Sequence, residues 1–539
     1  DKFMQKDNIS FWKDIAKFKS YGSNTCPVTV DNATGEKNVT DMWYRHYKGL
    51  LNIHKMSNTN FVHEYINSLD NVNLIKFTVH EIKHAICKLK SGKSPGIDHL
   101  QSEHYKHADA TLHCLLTMVF NVMLSHGHLP SMLMKTIIVP IIKDKRGLVT
   151  DKDNYRPIAI TCVASKIMEL VLLKHMEDGL VTQCNQFGFK ARHGTDICVF
   201  TLKQIIEFYM CKGSPVYVCF LDASKAFDRI CHKTLFEKLI KRQINPFIIR
   251  LLISWYQSQT MCIRWNNTLS PFFNVSNGVR QGGIMSPLLF NMYMDDLSYE
   301  LNKAEYGCNM NGTIINHLLY ADDSCIIAPS PTGLQKLLDI CDNFANNNAV
   351  LYNDKKSKCM CFKPSKMSNL HIPNITLNGK FLDFVDEHKY LGIVLLNNLK
   401  DDKDILRQVK TLYMQGNLLL RKFRSCSEPV KHALFKAYCS NAYCSQLWTN
   451  YRRDAYKKCT VAYNDIYRNL FSLQRGTSIS NIYVQNQVNS FNVVVRKNVY
   501  SFIKRLSESE NFIISTIMQS AFYHFNSSLR LKWTSLLYV

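Results

Sequence analysis

Six apolar residues in a row, Val216-Tyr217-Val218-Cys219-Phe220-Leu221, end on Asp222. An unbroken run of β-branched and aromatic residues reads as a strand buried on both faces. Such a strand ends on a charge where something cationic meets it. Further along, Leu318-Leu319-Tyr320-Ala321 and Ser324-Cys325-Ile326-Ile327 flank Asp322-Asp323, two adjacent carboxylates at the tip of an apolar hairpin. Neighbouring carboxylates repel, and burying them unpaired costs on the order of several kcal/mol. The usual resolution is a hard divalent cation such as Mg²⁺, bound through one or two carboxylates plus substrate phosphates. Two such ions, about 3.5–4 Å apart, activate an attacking hydroxyl and stabilise a leaving oxygen. Taken alone, Asp222 is an ordinary strand end and Ala-Asp-Asp-Ser an ordinary solvated turn.

Around these strands the chain is mixed. At roughly 100–200 residues per domain, 539 residues point to about three structural units. Residues 1–75 read as loosely connected helices: Phe11, Trp12, Ile15 and Phe18 share one helical face and Trp43, Tyr47, Leu50 and Leu51 another, with a polar linker, Ser23–Thr40, between. Thr78 and Glu81 have capping-box spacing ahead of the stripe Val79, Ile82, Ile86 and Leu89, and Asp98 with Gln101 reads as a second box. Thr136–Pro140 and Tyr155–Ile158 read as strands. From Val216 to Leu395 the pattern is mixed: a helix over Lys233–Ile240, a strand pair at Met261–Trp265 and Phe272–Val275, and a helix over Ser286–Glu300. Beyond Lys400 the chain is helical, with Leu406, Val409, Leu412, Tyr413, Leu419 and Phe423 in one stripe and a second helix after Glu428-Pro429.

Charge narrows the partners. The whole chain carries +23, and residues 407–505 alone hold 17 Lys/Arg against 3 Asp/Glu. A field of that sign meets a polyanion, by default nucleic acid or an anionic membrane. The longest apolar stretches, such as Met132–Ile142, fall short of the roughly 18 residues a membrane span needs, and Lys135 interrupts that one. The 19 cysteines are odd in number and scattered, with no CxxC pair. They read as reduced thiols, pointing to the cytoplasm or nucleus. Asp1 stands where an initiator Met would, so a longer parent polypeptide is expected. Gly92-Lys93-Ser94 mimics the end of a phosphate-binding loop, but Cys87 occupies the place of its first glycine and Pro95-Gly96 break any following helix.

The joint pattern is more specific than its parts. Phe220-Leu221-Asp222-Ala223-Ser224-Lys225-Ala226-Phe227-Asp228-Arg229, then Gly278-Val279-Arg280-Gln281-Gly282-Gly283-Ile284-Met285-Ser286-Pro287, then Tyr320-Ala321-Asp322-Asp323 occur in that order. They closely resemble motifs A, B and C of reverse transcriptases, in the form used by LINE-type (non-LTR) retrotransposons. Lys93-Ser94-Pro95-Gly96-Ile97-Asp98 resembles the segment upstream of the fingers in that family. Asn154-Tyr155-Arg156-Pro157-Ile158 and Asn185-Gln186-Phe187-Gly188-Phe189 resemble two fingers motifs, and Lys389-Tyr390-Leu391-Gly392 the primer-supporting motif. The basic helical tail is similar to the thumb of jockey-like elements.

The resemblance implies an α+β right-hand polymerase. A helical extension (1–75) would precede fingers (76–215), a palm with an antiparallel sheet (216–395), a basic helical thumb (396–475) and a helical C-terminal segment (476–539). Asp222, Asp322 and Asp323 would be the catalytic metal ligands, for two Mg²⁺ ions or alternatively Mn²⁺. Phe227 would be an aromatic gate against the 2′-hydroxyl of the incoming nucleotide. Gln281 and Gly282 would approach the nascent base pair, Arg156 and Lys166 would hold the triphosphate, and Tyr390, Leu391 and Gly392 would support the primer end. Implied partners are an RNA template, a DNA primer or target and dNTPs, with no membrane. The endonuclease such elements encode is expected on a preceding part of the protein. Tyr451, Tyr456, Tyr463 and Tyr467, set among basic residues, either stack on bases or pack in the thumb; helical spacing favours packing. Two rival readings remain: a catalytically dead nucleic-acid-binding scaffold derived from a polymerase, and a group II intron-type reverse transcriptase with maturase activity.

Overall fold

The computed structural model describes residues 8–20, 26–53, 74–144, 147–364, 367 and 371–537. At its centre is a five-stranded sheet in the order 317–320, 323–328, 216–222, 358–362, 383–384. Its first four strands are antiparallel, and the short edge strand Asp383–Phe384 joins in parallel. The apolar run behaves as its composition demands. Tyr217, Cys219 and Leu221 enter one core with the helices Pro246–Ser258, Ser286–Lys303 and Pro331–Asn347. Val216, Val218 and Phe220 enter a second core with the helix Thr195–Cys211 and the C-terminal helices. With apolar matter on both faces no polar alternation is needed, and all six residues are buried.

A second sheet runs 155–161, 135–142, 260–265, 268–269, with 273–274 also on strand 260–265. Strands Lys135–Ile142 and Tyr155–Thr161 are antiparallel, but Lys135–Ile142 lies parallel to Thr260–Trp265. The boundary at residue 215 therefore does not separate the two sheets: the chain leaves the central sheet after Asp222 and returns to complete the other. The helix Glu36–Leu50 covers this second sheet, with Trp43 and Tyr47 packed among Tyr155, Trp265 and Phe273.

Two local expectations are corrected. The supposed linker Ser23–Thr40 is structured over its described part: Asp31 and Asn32, both at positive φ, turn strand Thr29–Val30 back on Ala33–Thr34, and the helix begins at Glu36. Residues 23–25 lie outside the described set. The cap near Asp98 falls one turn later, where Gln101 caps Ser102–Lys106 with His104 as its reciprocal partner, because Asp98 is spent on the turn amide of Leu100. The box at Thr78 and Glu81 forms as read.

At the C-terminal end the helix Asp402–Phe423 packs on Arg453–Leu470, burying Leu412, Leu419 and Phe423 against Cys459, Tyr463 and Ile466. Tyr463 and Tyr467 are fully enclosed, so packing is their role; Tyr451 and Tyr456 stack on each other at 5.4 Å and stay partly exposed. The last helices fold back on Thr195–Cys211, with Trp533 stacked over Phe200 at 5.9 Å. Buried Lys203 of that helix pairs with buried Asp401 at 2.7 Å, fastening it to the start of helix Asp402–Phe423.

Candidate active site

The two features that open the sequence meet at one end of the central sheet. Asp222 ends its strand, and its register partner across the ladder is Asp323. Tyr320 pairs with Asp323 across the hairpin, leaving Ala321 and Asp322 as its two-residue tip. Water reaches Asp322 and Asp323, yet enough protein surrounds them that desolvation is the main force lifting both carboxyls above their ordinary range. Mutual repulsion adds to it, and Asp323 is pushed up to about 6.

Two cations oppose this at Asp322, Arg156 and Lys143. Arg156 sits opposite Ile141 in the second sheet, and Lys143 follows the end of the paired strand, its N–H donating to Asn154 O at 2.7 Å. Lys143 is held below the usual lysine range by desolvation, then by the charges of Lys356, Arg156 and Lys225. Lys143 is thus a neighbour of the site that sequence reading missed. For Lys143 the signal was present: it is a charge ending an apolar strand, the same feature that singles out Asp222. Lys166 lies elsewhere, half-buried on the helix Val163–Lys174, and the charges acting on it most are those of Glu169, Cys162 and Asp98.

Phe227 stacks on Phe290 at 4.5 Å with the rings 6° from parallel, and meets the edge of Phe189 at 6.2 Å. A cavity of about 570 Å³ opens beyond Phe189 rather than over the aspartates. It lies between the helices Val79–Lys88 and Val163–Lys174, with Lys88, Lys174 and Lys190 on its walls and Leu288 of helix Ser286–Lys303 alongside.

Gln281 Nε2 donates to both oxygens of Asp228, at 2.9 and 3.0 Å, and its carbonyl accepts from Ala159 N–H at 2.7 Å. Burial pushes Asp228 up to about 6, with the Gln281 bonds opposing. Gly282 has φ +107°, and a Cβ there would lie 3.1 Å from Ala159 O, so the turn suits glycine on both counts. The turn is anchored from the helix Val163–Lys174. Buried Glu169 pairs with buried Arg280 at 2.6 Å and accepts the N–H groups of Ile284 and Met285 at 2.6 and 3.1 Å. The Arg280 guanidinium lies 4.7 Å over the Trp255 ring, while its Nε and Nη1 find no acceptor among the described residues.

Tyr390 is buried, its hydroxyl against Cys198 Sγ at 3.4 Å and its ring beside Phe220. Leu391 and Gly392, both at positive φ, turn the chain between strands Glu387–Tyr390 and Ile393–Leu396, and Tyr443 Oη donates to Leu391 O at 2.8 Å. Of the three, the turn residues reach the surface and the tyrosine does not.

A second Tyr-x-Asp-Asp, Tyr293–Asp296, lies inside the helix Ser286–Lys303 and is structural. Asp295 accepts from Gln183 N–H at 2.7 Å and pairs with Arg242, and Asp296 pairs with Lys238 at 2.9 Å.

Among the described residues no group of three or more His, Cys, Asp or Glu side chains is placed so that it could by itself hold a metal ion. What the sheet end offers is an all-oxygen, partial donor set, mutually repelling and open to water. That fits a hard divalent cation of the Mg²⁺ kind, whose shell is completed by phosphate oxygens and water. Asp222, Asp322 and Asp323 are the residues that would hold it. No helix among the described residues is long and apolar enough to cross a membrane.

Residues 142–395 match the family model described as reverse transcriptase (RNA-dependent DNA polymerase). Among curated proteins, the RNA-directed DNA polymerase from mobile element jockey of Drosophila melanogaster is 28% identical over 361 residues, 64% of this chain and 38% of that protein. Its Drosophila funebris counterpart is 27% identical over 332 residues, 60% of this chain and 35% of that one. A probable RNA-directed DNA polymerase from transposon BS of Drosophila melanogaster is 25% identical over 478 residues, covering 84% of this chain and 52% of its own length. The chain therefore spans under two fifths of the jockey proteins it matches. Among solved structures, telomerase from Candida tropicalis matches at 13% identity and a TM-score of 0.37, over 79% of this chain and 68% of that one, too loose a likeness to refine the fold. Residues 142–395 are thus similar to a reverse transcriptase domain, and most of the chain is similar to the RNA-directed DNA polymerases of jockey and related mobile elements.

Proposed function

We propose that this chain is an RNA-directed DNA polymerase that extends a DNA primer on element RNA, with dNTPs as substrates and two Mg²⁺ ions at the sheet end. The observation that carries this reading is the meeting of Asp222, Asp322 and Asp323 at one sheet end faced by Arg156 and Lys143. Carboxylates within electrostatic reach of two cations suit a triphosphate that must be both neutralised and held. When bound, the divalent ions supply charge neutralisation for phosphate and lower the pKa of a coordinated hydroxyl.

The protein's own groups then do the positioning. Arg156 offers a planar fork suited to bidentate phosphate contact, and Lys143 a point charge beside it. Phe227, held flat by Phe290, walls the sugar so that a 2′-hydroxyl meets carbon instead of space. Gln281 is fixed by Asp228 and lies in a glycine turn where backbone can approach a base pair. The Leu391–Gly392 turn supports the primer end, with Tyr390 anchoring it from the core. The basic helices past residue 400 neutralise nucleic-acid backbone without reading sequence, and the cavity beyond Phe189, lined by Lys88, Lys174 and Lys190 together with Glu81 and Glu177, suits the incoming template strand. In the element's life cycle the primer would be a nicked target end, with nicking supplied by an endonuclease domain elsewhere in the protein.

The test is primer extension on an RNA template with Mg²⁺ and dNTPs, comparing wild type with Asp222→Asn and Asp322→Asn. Extension by wild type alone is expected. Salt-sensitive RNA binding without extension in any of the three would overturn the reading in favour of an inactive scaffold.

A further inference from the structure

The hairpin tip that presents Asp322 has an awkward backbone. Ala321 adopts φ +57°, a left-handed conformation that costs a residue with a Cβ roughly 1 kcal/mol. It is also buried, and as a tip residue its N–H has no partner in the ladder between strands His317–Tyr320 and Asp323–Ala328. Two-residue hairpin tips of this kind usually carry glycine or asparagine. An alanine persists in one only where its surroundings fix the turn.

The surroundings here are the segment Asn185–Gly188. It lies along the outer edge of strand His317–Tyr320 as one extra stretch of parallel ladder: Leu319 N–H donates to Asn185 O at 2.9 Å and Phe187 N–H to Leu319 O at 2.8 Å. Asn185 Nδ2 also donates to His317 O at 3.0 Å. From this edge the fully buried Gln186 turns its side-chain oxygen onto two amides, Gly188 N–H at 2.8 Å and Ala321 N–H at 3.1 Å. Two donors on one atom identify it as the amide oxygen. The nitrogen, Nε2, is buried and finds no partner among the described residues. The contact is close throughout: a Cβ on Gly188 would lie 2.2 Å from Ala321 N. Gly188 is itself tied to the helix Ser286–Lys303 through its carbonyl, which accepts from Asn291 Nδ2 at 2.7 Å.

We propose that Gln186 is a positioning residue for Asp322. Its carbonyl satisfies the Ala321 amide, holds the tip in its left-handed turn and so sets where the adjacent carboxylate stands. This assigns a task to a residue wholly enclosed by protein, and it rests on the polymerase reading given above.

The test uses Gln186→Met, which keeps the length and removes the acceptor, and the double variant Gln186→Met/Ala321→Gly, in which glycine adopts the turn without help. Primer extension and Mn²⁺ affinity by electron paramagnetic resonance titration are measured on each, beside the melting temperature. Groups that orient metal ligands typically cost 10–100-fold when removed. For Gln186→Met, a loss of roughly that size in kcat and in Mn²⁺ affinity is expected, with dNTP KM within about 3-fold. Glycine at position 321 should restore at least about half of the loss on a logarithmic scale. The inference fails if Gln186→Met matches wild type in both readouts. It fails equally if activity falls only together with melting temperature and Ala321→Gly restores neither, since Gln186 is then simply core. An inactive wild type that still binds Mn²⁺ more tightly than Gln186→Met would leave the positioning role standing while the polymerase reading falls.

Discussion

Removing the Glu169 carboxylate should free the glycine turn that carries Gln281. In wild type one oxygen meets Arg280 at 2.6 Å and the other accepts Ile284 and Met285 N–H. Glu169→Ala leaves the Arg280 guanidinium, 3% exposed, with the face of Trp255 as its nearest described compensation. It also strips two amides of their acceptor. Breaking a buried ion pair from one side costs about 3–5 kcal/mol, and each orphaned buried amide about 1 kcal/mol or more. Relaxation and water entry return part of this, so a local loss of about 3–4 kcal/mol is expected. The assay is amide hydrogen exchange read by mass spectrometry on peptides spanning residues 281–286. At 1.36 kcal/mol per decade, that loss corresponds to exchange faster by roughly 10²–10³-fold, confined to the turn and its neighbours. Adding Arg280→Met should return part of the protection, because the stranded charge goes with it. Exchange within about 3-fold of wild type in Glu169→Ala would refute the reasoning, since the pair would then contribute nothing beyond what water replaces.

Phe227→Ala should let ribonucleotides in, reducing discrimination between dNTP and rNTP by roughly 10–200-fold in kcat/KM under single-nucleotide incorporation; unchanged discrimination would remove Phe227 as the gate. Lys143→Ala should raise dNTP KM and leave nucleic-acid affinity within about 2-fold, whereas a thumb variant such as Arg452→Ala/Arg453→Ala should do the reverse and flatten the salt dependence. For pH, burial drives His232 down to about 4 and His317 to about 3, from an unfolded value near 6.5. A depressed histidine leaves the folded state with fewer bound protons, so its contribution is present above pH 6.5 and is lost as pH falls toward 4. Asp228, lifted to about 6, acts in the opposite sense over the same window, weakening the fold as pH rises from about 4 to 6. His232→Gln, whose amide can still donate to Gly278 O, should therefore flatten the acid limb of melting temperature against pH; an unchanged limb would count against a buried neutral imidazole.

The strand ends and the hairpin were legible because each follows from a local conflict, apolar residues running into charge. The same logic reached Arg156 only through resemblance and passed over Lys143. Glu169, Asp228 and Gln186 were not legible as site residues at all. Each acts through a partner far away in sequence, Arg280 and the 284–285 amides, Gln281, and Ala321, and periodicity carries no trace of such pairings. Helix positions followed their apolar stripes, although Trp12, Phe18, Val79, Leu406 and Tyr413 of those stripes stay exposed at the stripe edges. The cap at Gln101 was misread because an Asp three residues ahead of a Gln satisfies the spacing rule while its side chain serves a turn. Buried tyrosines at 463 and 467 obeyed spacing over charge context, as packing in a crowded helix pair requires.

Strand Thr260–Trp265 lies parallel to Lys135–Ile142 and completes a sheet whose other long strand ends at Thr161. During synthesis this has a consequence of timing. When residue 161 has emerged from a ribosome, the nascent hairpin 135–161 has one edge with nothing to bond, and the strand that closes it is still about a hundred residues from being made. Until then the edge amides of an apolar, β-branched strand are open to any passing chain. Helix Glu36–Leu50, already made, packs mainly on the strand still to come and touches the hairpin chiefly at Tyr155, so it shields little of it. A chain built this way is at its most vulnerable midway through translation, and a fragment ended at residue 215 would keep that vulnerability permanently.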